Sequence, residues 1–113
     1  AGPCLGQRRL AILPDDTSGT LERKLAALGV ELVLETIARL GAGTAEPIPQ
    51  DPALAPKAAK VRKEGGLLDW SRPAETLRNR IRAFTPWPRC STHWHRKNGP
   101  PLRLIVDWVE PVS

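Results

Sequence analysis

The chain has 113 residues, enough for one modest domain of marginal stability and too few for a large enzyme. Its 41% hydrophobic and 26% charged residues are ordinary for a folding chain and exclude wholesale disorder. The net charge of +5 is unevenly placed: residues 57–103 hold twelve Lys and Arg against three Asp and Glu, whereas residues 1–56 hold five against seven.

No apolar run approaches the roughly 18 to 20 residues that span a bilayer, and the N-terminus lacks the basic-then-apolar order of a signal peptide. A cytoplasmic location and no membrane partner are therefore expected. Cys4 and Cys90 are the only thiols and form no Cys-x-x-Cys pair, which points to two reduced cysteines and away from a disulfide framework. Ala1 opens directly on Gly2 and Pro3, and Met is absent, which suggests a processed or partial chain.

Residues 3–13 alternate imperfectly between apolar and polar and end at Pro14, which predicts a strand running into a turn. Asp15, Asp16, Thr17 and Ser18 then supply N-cap chemistry, and Leu21, Leu25 and Leu28 recur at helical spacing until Gly29 interrupts them. Val30, Val33, Leu34, Ile37 and Leu40 carry a second helical stripe, with Glu35 and Arg39 as an i,i+4 pair and Gly41 and Gly43 as stops. From Glu46 to Pro56 the prolines at 47, 49, 52 and 56 forbid a helix and predict an extended linker at a domain boundary. Gly65 and Gly66 read as a turn.

Ser71, followed by Pro73, predicts an N-cap, and Ala74, Leu77, Ile81 and Phe84 line one face of a helix over about 72–84. Arg78 and Arg82 lie beside that stripe and Arg80 flanks its other side, so an exposed cationic girdle is expected. Pro86 and Pro88 end the helix around Trp87. Residues 91–96 and 102–109 then form two strand-like runs joined through Lys97-Asn98-Gly99, a hairpin signal. The fold class is α+β, and Leu21, Leu25, Val33, Ile37, Leu77, Ile81 and Phe84 are the expected buried residues.

Candidate chemistry is sparse. His93, His95 and Cys90 could imitate a soft metal site, but a zinc site needs three or four protein ligands, so two partly exposed imidazoles are expected and no metal. The adjacent carboxylates Asp15 and Asp16 precede a helix and read as capping groups. Neither a Gly-x-Ser-x-Gly elbow nor a phosphate-cradling glycine loop occurs. The basic span with Trp70, Trp87 and Trp94 can neutralise phosphates and stack on bases, or it can be a solvated face with the rings used as packed anchors. With so few aromatics in the chain, packed anchors are the expected use. The residues alone describe a basic, two-part chain with no self-contained catalytic site.

Several blocks stand in a fixed order: Asp16-Thr17-Ser18-Gly19-Thr20-Leu21, Lys24-Leu25-Ala26-Ala27-Leu28-Gly29, Gly43-Thr44 and Pro49-Gln50-Asp51. They continue with Lys60-Val61-Arg62-Lys63-Glu64-Gly65-Gly66-Leu67-Leu68-Asp69-Trp70-Ser71 and Ile81-Arg82-Ala83-Phe84-Thr85-Pro86-Trp87-Pro88. Over about residues 2–109 this order resembles the methionyl-tRNA formyltransferases, and the last two blocks are the most specific. The chain departs from that family at Lys57-Ala58-Ala59-Lys60, where Tyr-Ala-Pro-Lys is usual, and at Thr85, where Asn is usual.

The resemblance implies a fragment of a doubly wound α/β domain over residues 1–45, with one strand and two helices, followed by an extended Pro-rich linker over 46–71. A helix and a β-hairpin over 72–113 would then open an incomplete barrel of the oligonucleotide-binding type. The implied parent reaction is transfer of a formyl group from 10-formyltetrahydrofolate to methionyl-initiator-tRNA. Gly2 and Pro3 resemble the residues that follow the family's catalytic Asp, and so are cofactor-side candidates. The family's catalytic Asn, His and Asp find no counterpart in this chain, so no catalytic residue, no bound cofactor and no activity alone are expected. Lys60, Arg62, Lys63, Arg78 and Arg82 are the candidate contacts to initiator tRNA, and exposed strand edges could permit self-association. Two other readings remain: a free-standing basic RNA-binding module, and a fragment of a sugar-amine formyltransferase.

Overall fold

The computed structural model describes residues 2–112. It is α+β, with helix α1 (Ser18–Gly41), helix α2 (Ala74–Ala83) and an antiparallel pair of strands, β1 (Cys90–Trp94) and β2 (Leu102–Val106). Two short 3-10 turns, Pro52–Leu54 and Lys63–Gly66, lie in the stretch between the helices. Contacts divide the chain into two units, one of Ala1–Ile12 with Leu21–Ala59 and the other of Leu13–Thr20 with Lys60–Ser113.

In the first unit the strand expected over 3–13 reduces to a single bridge. Cys4 N–H donates to the Ile48 carbonyl at 2.8 Å and Ile48 N–H donates back to Cys4 at 2.9 Å. Pro47 and Pro49 flank Ile48 and carry no N–H, so the ladder cannot continue in either direction. Segment 5–8 is held to α1 instead: Arg39 donates to the Leu5 carbonyl at 3.1 Å, and Arg8 pairs with Glu35.

The two helices expected on either side of Gly29 are one helix of 24 residues. An interior glycine costs about 1 kcal/mol relative to alanine, and the strong helix formers Ala26, Ala27, Leu28, Glu31 and Leu32 around it absorb that cost. Gly43 ends the helix at φ +69°, with its N–H on the Leu40 carbonyl and the Thr44 N–H on the Arg39 carbonyl. Most of the apolar stripe on α1 is not covered within the unit. Leu25, Val33 and Ile37, expected to be buried, are exposed, Ile37 at 59%. No helix among the described residues is long and apolar enough to cross a membrane.

The second unit holds the core: Leu68, Leu77, Ile81 and Cys90, with Phe84, Val106 and Val109 packed against it. Helix α2 begins two residues later than its sequence suggested. Pro73 occupies the N-cap, and Ser71 turns back on Asp69, whose carboxylate accepts from the Ser71 hydroxyl at 2.6 Å and from its N–H at 3.1 Å. Those two hydrogen bonds, with the Arg72 guanidinium nearby, hold the Asp69 carboxyl below the usual carboxylate range.

After α2 the chain passes through cis peptide bonds at Thr85-Pro86 and Trp87-Pro88, and Arg89 sits at φ +69°. The hairpin pairs Cys90 with Val106, Thr92 with Leu104 and Trp94 with Leu102 on one pleat face, and Ser91 with Ile105 and His93 with Arg103 on the other. Leu67 adds a parallel bridge to Ser91. Gly66 lies so close to the following segment that a Cβ there would stand 2.2 Å from the Arg89 carbonyl oxygen, so only glycine fits.

Candidate nucleic-acid interface

The basic residues expected to meet nucleic acid separate into two structural classes. Lys60 and Arg62 lie in extended chain leading into the 3-10 turn that Lys63 opens, with Arg62 at φ −120° and ψ 153°, and all three are exposed. None of them forms an ion pair with another described residue. Their guanidinium and ammonium groups are free to meet phosphates.

Of the α2 arginines expected to form an exposed girdle, Arg80 is exposed while Arg78 and Arg82 are half-buried, and all three are tied to acceptors of their own chain. Arg82 donates from one terminal nitrogen to the carbonyls of Leu13 at 2.8 Å and Asp16 at 2.9 Å, and from the other to Asn79 Oδ1 at 2.7 Å. Arg78 reaches the Pro14 carbonyl at 2.9 Å, pairs with Glu75, and lies 5.9 Å from the Trp108 ring centroid. Arg80 grips the Gly65 carbonyl with two nitrogens, at 2.9 and 2.6 Å, and covers the Phe84 ring. Three cations on ten residues of helix therefore fasten two irregular segments, 13–16 and the turn at 65. Helix periodicity reported their positions; the carbonyl acceptors come from segments whose folding has no periodic signal.

Segment 13–16 is itself organised around Asp16, a buried carboxylate. It accepts from Leu13 N–H at 2.8 Å and from the Thr20 hydroxyl at 2.9 Å, while Thr17 and Thr20 exchange N–H to hydroxyl hydrogen bonds. The capping role expected of the Asp15 to Ser18 stretch is carried by Thr17, whose hydroxyl accepts from Thr20 N–H of the first turn, while Asp16 ties the turn ahead of the helix to the Thr20 side chain. Ser18 adds a hydrogen bond from its hydroxyl to the Thr85 carbonyl at 2.5 Å.

The tryptophans expected to be packed anchors are exposed: Trp70 at 59%, Trp87 at 61% and Trp94 at 55%. Trp70 keeps its indole N–H on Thr92 Oγ1 at 2.8 Å, which fixes the ring beside the Thr92 and Trp94 face of the hairpin. The core of this unit is filled by Leu, Ile and Cys, which leaves the larger rings outside it. On the opposite pleat face Ser91, His93 and Arg103 line a surface hollow of about 420 Å³ together with Lys63, Glu64 and Leu67. Reading by sequence treated His93 with His95 and overlooked its pairing with Arg103. Seven residues, 95–101, separate the strands, so no two-residue turn fixed that register in advance.

Gly2 and Pro3 lie in the first unit, both exposed, and the Gly2 carbonyl accepts from Gln50 Nε2 at 2.6 Å. Cys4 and Cys90 are free thiols, and burial pushes the Cys90 thiol upward. Among the described residues no group of three or more His, Cys, Asp and Glu could hold a metal ion.

Comparison with known proteins places this geometry. Residues 60–107 match the family described as formyl transferase, C-terminal domain. The chain is 47% identical over 107 residues to a methionyl-tRNA formyltransferase of Nitratidesulfovibrio vulgaris (strain DP4), covering 95% of this chain and 32% of that protein. It is 40% identical over 109 residues to the methionyl-tRNA formyltransferase of Roseiflexus castenholzii, covering 96% and 34%. A third relative of the same name, from Pseudomonas paraeruginosa, is 51% identical over 89 residues, covering 79% and 29%. The chain thus spans about a third of the length of the relatives it matches.

Proposed function

Because the chain belongs by sequence to the methionyl-tRNA formyltransferase family, we propose that it serves the RNA-gripping side of formyl transfer to methionyl-initiator-tRNA. One observation carries the reading. Lys60, Arg62 and Lys63 open the stretch that matches the C-terminal domain, are exposed, and have no ionic partner among the described residues. Cations held without partners favour a polyanion, since each phosphate neutralised releases a counterion.

In this reading residues 1–45 are the end of a doubly wound formyl-binding domain, 46–71 a linker, and 72–113 the opening of a barrel of the oligonucleotide-binding type. The setting is the cytosol. Lys60, Arg62 and Lys63 make the phosphate contacts. Arg78 and Arg82, the other two candidates, act on RNA only through the segment they hold, because their donors are already on the carbonyls of residues 13, 14 and 16.

The formyl donor of this reaction is 10-formyltetrahydrofolate, which when bound supplies the one-carbon unit. Formyl transfer needs a base for the amine and donors for the tetrahedral oxyanion. Gly2 and Pro3 bring no titratable side chain to act as the base, and Pro3 has no N–H to offer an oxyanion. Their proposed part is limited to bordering the folate side, and no step is assigned to them.

The test is titration of initiator tRNA at two salt concentrations, with the natural chain and with Lys60, Arg62 and Lys63 all changed to Gln. Affinity should fall steeply with salt, by a log–log slope of about 0.7 to 0.9 per contact, and the triple variant should flatten that slope by about two to three contacts' worth. Affinity that ignores both salt and the substitutions would make the basic span a solvated face.

A further inference from the structure

We propose that the hollow on the Ser91, His93 and Arg103 face of the hairpin is an oxyanion subsite that takes one backbone phosphate of an RNA strand. The proposal rests on the RNA reading above and adds to it residues that lie outside the exposed run at 60–63. The pleat sets Ser91 and His93 on one face of β1, and the antiparallel register places Arg103 opposite His93. The bridge from Leu67 to Ser91 brings the Lys63–Gly66 turn to the same side, so Lys63 and Glu64 complete the lining.

Charge decides what such a hollow holds. Lys63 and Arg103 are two cations beside the His93 imidazole, and Glu64 is the single carboxylate of the lining. None of the three basic groups is ion-paired with a described residue. By contrast Arg78, Arg80, Arg82, Arg89 and Arg96 are all bound to carbonyls or carboxylates of their own chain. Lys60, Arg62 and Lys97 of the same unit are likewise without an ion-pair partner among the described residues, but only Lys63 and Arg103 are brought by the fold to line one hollow. The two cations outnumber the carboxylate by one positive charge, and the buried Ser91 adds a hydroxyl to the lining. A guanidinium matches the paired oxygens of a phosphodiester bidentately, and Lys63 adds a point charge. At about 420 Å³, with His93 and Arg103 exposed at its rim, the hollow accepts a phosphodiester whose strand continues across the sheet.

The experiment uses the full chain, isotope-labelled, with sodium sulfate as the oxyanion probe at an ionic strength held constant with chloride. A short single-stranded RNA is the second probe, and the His95 ring is the internal control. Sulfate should shift the His93 ring and the Arg103 amide saturably while leaving His95 unmoved. Arg103→Gln and Lys63→Gln, both at exposed positions, should each weaken sulfate at least about fivefold with an unchanged amide spectrum elsewhere, and RNA should displace it.

Equal drift of both histidines, or sulfate affinity indifferent to both substitutions, overturns the subsite. Saturable sulfate that RNA does not displace also overturns it, by making the hollow a site for free oxyanions only. If RNA binds the chain and His93 does not respond, the subsite falls while the RNA reading stands. If RNA does not bind at all, the RNA reading falls with it.

Discussion

The Arg82 guanidinium donates to the Asp16 carbonyl at 2.9 Å across 66 residues of sequence, while the Asp16 carboxylate gathers Leu13 N–H and the Thr20 hydroxyl. Arg82 is therefore part of the frame of its unit. Its Nε is buried without a partner, so the three bonds from the terminal nitrogens hold the group in place. Arg82→Ala should destabilise the unit by about 1.5 to 3 kcal/mol, the range for hydrogen bonds to a charged donor. Denaturant unfolding followed by tryptophan fluorescence measures this. RNA affinity, corrected for the folded fraction, should change little; a loss of affinity at full stability would instead make Arg82 a phosphate contact.

Two glycines should respond in opposite directions. Gly66→Ala forces a Cβ to within 2.2 Å of the Arg89 carbonyl oxygen, and should cost at least about 1 to 3 kcal/mol as the two backbones are pushed apart. Gly29→Ala meets nothing within 4 Å and lies inside α1, so it should stabilise by about 0.5 to 1 kcal/mol. Thermal unfolding followed by circular dichroism distinguishes the two.

Apolar residues of equal size should differ just as sharply. Ile81 is 1% exposed and Ile37 is 59% exposed. Ile81→Ala should cost about 2 to 5 kcal/mol through the cavity it leaves beside Leu77 and Cys90. Ile37→Ala in this chain should stay within about 0.5 kcal/mol. Equal losses in chemical denaturation would show that α1 has found a partner surface in solution.

The two cysteines should alkylate in order. Cys90 is fully buried and its thiol is pushed upward by burial, whereas Cys4 is half-buried. Iodoacetamide at mildly alkaline pH should label Cys4 first and reach Cys90 only as the unit opens, as peptide mass spectrometry would record. Linkage carries the same sign: with its folded pKa raised, the Cys90 contribution is present below the unfolded thiol pKa. It is lost as pH rises through the folded value, because the unfolded thiol ionises first. Cys90→Ala should remove that alkaline decline; a decline of equal size in the variant would assign it to other groups.

What the sequence determined by itself was local. The cap of α1 is Thr17, and the turn ahead of it is closed by Asp16; both short polar side chains reach backbone donors within four residues. The α2 stripe of Leu77 and Ile81 repeats at helical spacing over a core, and the glycine stop at 43 and the hairpin through Asn98 and Gly99 follow from turn chemistry. The block order that relates the chain to formyltransferases was also legible, because it needs no structure to be read.

Tertiary structure decided everything that depends on a distant acceptor or neighbour. Residues 3–13 alternate like a strand, but a strand forms only beside a partner, and Pro47 and Pro49 limit that partner to Ile48. Leu25, Val33 and Ile37 make a helical stripe as regular as that of α2, yet a stripe is buried only where another element covers it, and these are exposed. The same holds for charge. Spacing on α2 made Arg78, Arg80 and Arg82 a solvent-facing girdle, while the carbonyls of residues 13, 14, 16 and 65 draw all three onto the chain. An arginine's destination is set by where unpaired backbone oxygens lie in space, and only the folded chain fixes those positions.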